Sequence, residues 1–206
     1  MSDHIKTIKS KTESKFKEKG SLFEGYAYPV SSSEEAENIL SEIKKKYYDA
    51  THHCFAYQIM DENPRYSDDG EPSGTAGIRI LNAINHFELV NVLVVSVRYY
   101  GGTKLGVGPL GKAYYKSAFD TLSLASVLTK RKFLKAKITY DFDLTSKVHH
   151  LLSMNTTNIL DNTFEKKPAI IFTILEEEFK KFESEIIEST SNRAHLIVIE
   201  NNLFLS

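Results

Sequence analysis

The chain has 206 residues, with 26 Lys and Arg against 27 Asp and Glu and a formal net charge of −1. That length buries one sizeable core or two small ones, and the near balance of charge excludes a global field that would draw the protein to nucleic acid or anionic lipid, so any polyanion contact must be local. The longest apolar run, Val92 to Val97, falls far short of the roughly 20 residues of a membrane helix.

The first twenty residues are polar and alternate in charge, without the apolar segment of a secretory signal. The single cysteine, Cys54, permits neither an internal disulfide nor a zinc ribbon. A cytoplasmic protein with no membrane attachment is expected.

In chain order, the basic start (Lys6, Lys9, Lys11, Lys15, Lys17, Lys19) reads as a solvated, partly frayed end, and Leu22 to Tyr28 alternates as a strand that stops at Pro29. Ser31 to Ser33 followed by Glu34 and Glu35 is capping-box chemistry. Ala36, Ile39, Leu40, Ile43 and Tyr47 then recur at helical spacing. His53 to Met60 reads as a buried strand, Asp61 to Gly74 as a loop, and Thr75 to Phe87 as a helix with an apolar stripe. Asn91 to Tyr100 is β-branched nearly throughout, as a central strand covered on both faces would be. Gly101 to Gly108 breaks that pattern, and Pro109 sits as a first helical residue ahead of a stripe from Leu110 to Ala125.

The character changes near Thr129, through the basic link TKRKFLK, so two domains are expected, residues 1–130 and 131–206. The second reads as a strand at Ala136 to Phe142, a helix at Ser146 to Met154, strands at Thr157 to Phe164 and Ala169 to Leu175, a helix at Glu176 to Glu188 and a strand at His195 to Glu200. That βαββαβ succession is the ferredoxin-like arrangement.

Two polar, glycine-bearing loops carry the functional signal, each opening a helix. In SDDGEPSGTAG (Ser67 to Gly77), Asp68, Asp69 and Glu71 crowd beside Ser73, Gly74 and Thr75. The carboxylates could hold Mg²⁺ or take a proton, and the Ser73 to Thr75 backbone could receive an anion. The structural alternative is that the acids complement the helix dipole, at about 0.3–1 kcal/mol each. In RYYGGTKLGVGPLGK, Arg98, Lys104 and Lys112 surround glycines that let a backbone approach a ligand. The fragment GVGPLGK fits part of a phosphate-binding loop. Ala113 lacks the hydroxyl that would hold Mg²⁺, however, and Pro109 removes a cradle N–H, so tight-turn glycine use explains it better. His52 and His53, and likewise His149 and His150, lack the spacing of a helical zinc site and read as structural. Tyr99, Tyr100, Tyr114 and Tyr115 read as packing rather than as base platforms, and no nucleophile elbow is present.

Taken together, ATHHCFAYQI, SDDGEPSGTAG and NVLVVSVRYYGGTKLGVG, in that order and at those separations, closely resemble the IMPACT/YigZ family. The resemblance is strong over residues 20–125, and residues 135–200 look like the small C-terminal domain of the family's bacterial members. It implies an α+β chain. Its first domain has the left-handed βαβ crossover of GHMP kinases and a small-subunit ribosomal protein, and its second is ferredoxin-like, similar to the last domain of elongation factor G. Eukaryotic relatives act as translation regulators, competing for the activator of a starvation-responsive kinase; they join the shared domain to a different N-terminal domain without a counterpart here, so the kinase link is not expected to carry over. The family's signature positions fall on His53, Asp68, Asp69, Gly70, Glu71, Ser73, Gly74, Thr75, Gly77, Arg98, Gly101, Gly102, Lys104, Leu105 and Gly106. The chain departs from the family at Gln58, at Ile78 and Arg79, and at Pro109, and the first and last of these weaken its expected grip on an anion.

The expectation is therefore a non-catalytic regulatory protein linked to translation. It would bind RNA, the ribosome or a translation factor through Asp68, Asp69, Glu71, Ser73, Gly74, Thr75, Arg98, Gly101, Gly102, Lys104 and Gly106, with no cofactor and no assigned catalytic residue. The rival readings are a Mg²⁺-dependent enzyme on a nucleotide or phosphorylated substrate, using the same residues, and a protein-interaction module whose loops serve only the fold.

Overall fold

The computed structural model describes residues 4–164 and 166–205. The chain forms two compact units, one of residues 6–128 and one that joins residues 4–5 to residues 129–205.

The first unit follows β1 (His4–Ile8) with β2 (Thr12–Glu18), β3 (Ser21–Pro29), α1 (Ser33–Lys46), β4 (His52–Gln58), β5 (Arg65–Ser67), α2 (Gly77–His86), β6 (Val92–Tyr99) and α3 (Val107–Ser123). Its sheet runs β2-β3-β6-β4-β5 with every pairing antiparallel. Because β3 and β4 flank β6 and both oppose it, they run parallel to one another, linked by α1. β6 is central because it is apolar on both sides, and alternate residues serve the two faces. Leu93, Val95 and Val97 meet Ala36, Leu40 and Ile43 of α1, whereas Val92 and Val94 join Cys54 and Ala56 under Ile80 and Ile84 of α2 and Tyr114 and Ala118 of α3. α1 begins as its residues require: Ser32 Oγ accepts from Glu35 N at 3.2 Å, and the Glu35 carboxylate accepts from the Ser31 N–H and hydroxyl at 2.7 and 2.8 Å.

Three expectations change. The basic start is not a frayed end. β1 buries Ile5 and Ile8, and β2 is an edge strand whose Phe16 stacks on Phe23 at 5.2 Å while Lys15 and Lys17 face solvent. Lysines on an outer strand hide its apolar alternation and guard the edge against pairing with other chains. The loop from Asp61 to Gly74 contains β5, which pairs its three residues with Phe55–Tyr57 of β4. α3 starts at Val107, placing Pro109 within the first turn, where a missing N–H costs no helical bond.

The second unit comprises β7 (Val127–Thr139), a 3-10 turn (Phe142–Leu144), α4 (Thr145–Met154), β8 (Thr157–Phe164), β9 (Pro168–Leu175), α5 (Glu176–Thr190) and β10 (His195–Leu205). β9 lies between β7 and β8, and β10 pairs with β7 on its other side, all antiparallel, with β1 a further neighbour of β7. Both helices cover one face, where Val148, Leu152, Phe182 and Ile186 meet Leu134, Ala136, Ile138, Ile170, Phe172 and Ile174. The segment TKRKFLK is part of the 13-residue β7 rather than a link.

Candidate functional site

The acid-rich loop is held from within. Asp68 follows β5 directly, and its Oδ1 accepts the N–H groups of Ala76 and Gly77 at 2.9 and 2.8 Å while its Oδ2 accepts that of Gly74 at 2.9 Å. Ala76 and Gly77 open α2, and Ala76 has no side chain to cap it. Asp68 therefore supplies the cap from eight residues upstream, satisfying donors that a helix N-terminus leaves over. Thr75 closes the same turn by donating its hydroxyl to the Pro72 carbonyl at 2.6 Å.

Glu71 points inward. Its Oε1 accepts from Arg98 Nη1 at 2.6 Å and from the Tyr114 hydroxyl at 2.7 Å, with His52 Nε2 3.7 Å away. The Glu71 and Arg98 side chains are each only 5% exposed. Arg98 Nη2 donates to Ser21 Oγ at 3.1 Å, and that oxygen also accepts the Gly101 N–H at 3.2 Å. The guanidinium lies against the rings of Phe23 and Tyr100, 5.3 and 5.6 Å from their centroids, and its Nε has no partner. Burial pushes the Tyr114 hydroxyl above its ordinary value, as it does the Cys54 thiol, which donates to the Asp68 carbonyl.

Asp69 adopts φ +42 and anchors the loop to β4. Its Oδ2 accepts the His53 N–H at 2.6 Å, with Lys44 Nζ 3.6 Å from Oδ1. His52 Nδ1 lies 2.8 Å from the Asp69 carbonyl, and His53 Nε2 lies 2.9 Å from the Tyr47 carbonyl. A carbonyl only accepts, so each of these ring nitrogens is the protonated one.

The two loops therefore converge. Glu71 of the first reaches Arg98, just ahead of the second, and the first turns of α2 and α3 meet where a Cβ on Gly111 would lie 3.3 Å from Arg79 Nε. Their residues then divide. Asp68, Asp69, Glu71 and Arg98 form a hydrogen-bonded cluster with Ser21, His52, His53 and Tyr114, and Thr75 is buried, bonded to the Pro72 carbonyl. Ser73, Gly101, Gly102, Lys104 and Gly106 are exposed, and Gly74 is half-buried. The carboxylates are thus not open ligands: both Asp68 oxygens hold backbone N–H groups and Glu71 is paired. Among the described residues, no three His, Cys, Asp or Glu are placed to hold a metal ion.

The second loop is different in kind. Gly101 lies against the β2–β3 turn so closely that a Cβ would fall 1.9 Å from the Gly20 carbonyl carbon, and Gly102 turns back at φ +83. α3 then starts from Gly106 with no side-chain cap and no acid in its first turn, and Gly106, Val107 and Gly108 are exposed. The leftover N–H groups and the positive end of the helix dipole face solvent there. Tyr114, Ser21 and His52 are absent from the expected site. Tyr114 reads as one more core position on a helical stripe, and only its pairing with Glu71 marks it out.

A two-unit α+β protein, with an acidic loop sewn into the fold and a glycine-rich loop opening a bare helix end, is the class these features define. The Impact N-terminal domain family matches residues 19–122, and the chain belongs to the IMPACT family. It is 32% identical over 186 residues to an IMPACT family member of Haemophilus influenzae, covering 88% of this chain and 90% of that protein. It is also similar to the IMPACT family member YvyE of Bacillus subtilis, at 29% identity over 192 residues, 92% of this chain and 88% of that one. Protein IMPACT of Mus musculus is 36% identical over 93 residues, which are 42% of this chain and 29% of the mouse protein. A solved structure described as "Crystal structure of an hypothetical protein" shares the fold, with a TM-score of 0.69 at 22% identity over 97% of this chain and 99% of that one. No helix among the described residues is long and apolar enough to cross a membrane.

Proposed function

We infer that this is a non-catalytic, regulatory binding protein of the cytoplasm, linked to translation, and that it contacts RNA through the loop from Gly101 to Gly108. The observation that carries the reading is the division of charge between the loops. Asp68, Asp69 and Glu71 are neutralised by partners inside the fold, so Lys104 and the uncapped start of α3 face solvent without an opposing acid in that helix's first turn. Backbone N–H groups at a helix start, glycines without side chains and a flexible cation together suit a phosphate. The family resemblance supports the link to translation. On this reading, the β3–α1–β4 connection is the left-handed crossover and the second unit, with β10 beside β7 and β9 between β7 and β8, is ferredoxin-like.

The test is fluorescence anisotropy with a labelled RNA hairpin at rising salt. About three phosphate contacts predict a fall in affinity of roughly 20- to 40-fold between about 50 and 200 mM salt, and Lys104→Ala should weaken binding and flatten that slope. Absent binding, or binding indifferent to salt and to Lys104→Ala, refutes the reading.

A further inference from the structure

α2 and α3 lie side by side and run in the same direction. Near their starts the Arg79 side chain crosses to Gly111, where a Cβ would lie 3.3 Å from its Nε, and two turns further on the rings of His86 and Phe119 meet at 5.3 Å. The solvent side of the seam between the helices is floored by Gly111. It is flanked by Arg79 and His86 of α2 and by Lys112, Tyr115 and Phe119 of α3, which share one side of each helix at i, i+3 and i+7 spacing. Arg79, His86 and Lys112 are exposed, and Tyr115 and Phe119, stacked at 5.8 Å, are half-buried.

The positive charge of this seam is uncompensated. α2 contains no acid, and the one acid of α3, Asp120, pairs with Lys116, whose ammonium lies over Phe16 on the β2 side of the helix. Arg79 and Lys112, and Lys104 just ahead of α3, make no ion pair or hydrogen bond among the described residues. Arg79 stands in the first turn of α2, where the helix dipole disfavours a cation, and its side chain lies beside the equally positive end of α3. The carboxylates that could offset this are spent, since Asp68 holds the N–H groups of Gly74, Ala76 and Gly77, and Glu71 holds Arg98. A cation set against two positive helix ends is a local conflict that the fold leaves standing, and such conflicts are expected where a ligand binds. The missing partner is an anion.

We propose that the α2–α3 seam binds a single strand of RNA, whose phosphates meet Lys104, Lys112 and Arg79 and whose bases lie against Tyr115 and His86. Ring faces set among cations suit unstacked bases, whereas a duplex hides its base faces and offers phosphates alone. From Gly106 to Phe119 the seam is about 20 Å long at about 1.5 Å per residue, which accommodates about four nucleotides, the lower end of single-strand sites. The inference rests on the reading that the protein binds RNA and carries it from the glycine-rich loop onto the two helices behind it, specifying a single strand.

The experiment measures binding of a short fluorescein-labelled oligouridylate to the full chain by anisotropy. Three phosphate contacts to a single strand predict a fall in affinity of about 20-fold between about 50 and 200 mM salt, and the double variant Arg79→Gln/Lys112→Gln, with one contact left, should reduce that fall to about 3-fold. Tyr115→Leu keeps the apolar contact with Phe119 but removes the ring face, so it should weaken binding several-fold and leave the salt dependence unchanged. Without RNA, Arg79→Gln should leave the melting temperature unchanged or higher, because it removes an uncompensated charge; a clear drop would show that the guanidinium serves the fold and would overturn the inference. Variants that bind oligouridylate as wild type does, while Lys104→Ala still weakens the hairpin, overturn this inference and leave the loop reading intact. Failure of the wild-type chain to bind either RNA removes both. Polyglutamate bound as tightly as oligouridylate would show charge attraction alone and overturn RNA as the occupant.

Discussion

Asp68→Ala removes the acceptor for three backbone N–H groups at once. Loss of an N-cap side chain costs about 0.5–2 kcal/mol, and hydrogen bonds to a charged acceptor contribute about 1.5–3 kcal/mol each. The loop is half-buried, so water recovers part of that, and a net loss of about 2–4 kcal/mol is expected from these ranges. Asp68→Asn retains the oxygen serving Ala76 and Gly77 but turns an amide toward the Gly74 N–H, so its loss should be about half as large. Hydrogen exchange of the α2 amides, followed by mass spectrometry, reads the opening free energy where the cap acts. The order expected is wild type, then Asn, then Ala. An Asp68→Ala chain whose α2 amides are protected within about 0.5 kcal/mol of wild type, the scatter of ordinary surface changes, would show that this carboxylate is not the cap and would return it to the list of candidate ligands.

Two further outcomes follow from the same geometry. Glu71→Gln strands the buried Arg98 charge and should destabilise by about 3–5 kcal/mol, whereas Glu71→Leu combined with Arg98→Met should cost clearly less, because both charges leave together; a double-mutant cycle by urea unfolding measures the coupling, and additive losses would refute the pairing. The Ser31 N–H and then the Ser31 hydroxyl hold the Glu35 carboxyl below the usual range, against a smaller opposing effect of burial. A depressed carboxyl stabilises the fold above its unfolded value of about 4.3 and loses that contribution as pH falls through the folded value. The stability difference between wild type and Glu35→Gln, measured by urea unfolding, should therefore be present at neutral pH and vanish at strongly acidic pH, and a difference that persists in acid would contradict the assignment.

What the residues announced in advance was whatever they encode locally. β6 is apolar on both sides and the Ser31–Glu35 segment carries its own cap, so each could be placed from a short window of sequence. β2 was hidden because lysines on an edge strand look like solvated chain, and β5 because three residues carry no period. The start of β7 was hidden in the same way, since Lys130, Arg131, Lys132 and Lys135 make its first half look like a solvated link. The loops could be singled out by composition, but their division of labour could not. Whether Glu71 is an open ligand or half of an ion pair depends on Arg98, 27 residues away, and Asp68 resembles a metal ligand until the α2 N–H groups are seen on its oxygens.

The position of Asp68 has one more consequence. It is the residue after β5, and β5 is held by its pairing with β4 and by the ion pair of Arg65 with Glu37 at 3.0 Å, so the oxygens that α2 needs arrive at its first turn when that hairpin has closed. A helix of ten residues is marginal alone, which makes its formation conditional on a strand pair rather than on its own sequence. Hairpin and helix should thus assemble and come apart as one cooperative segment, and a partner pulling on the loop would have to undo both together.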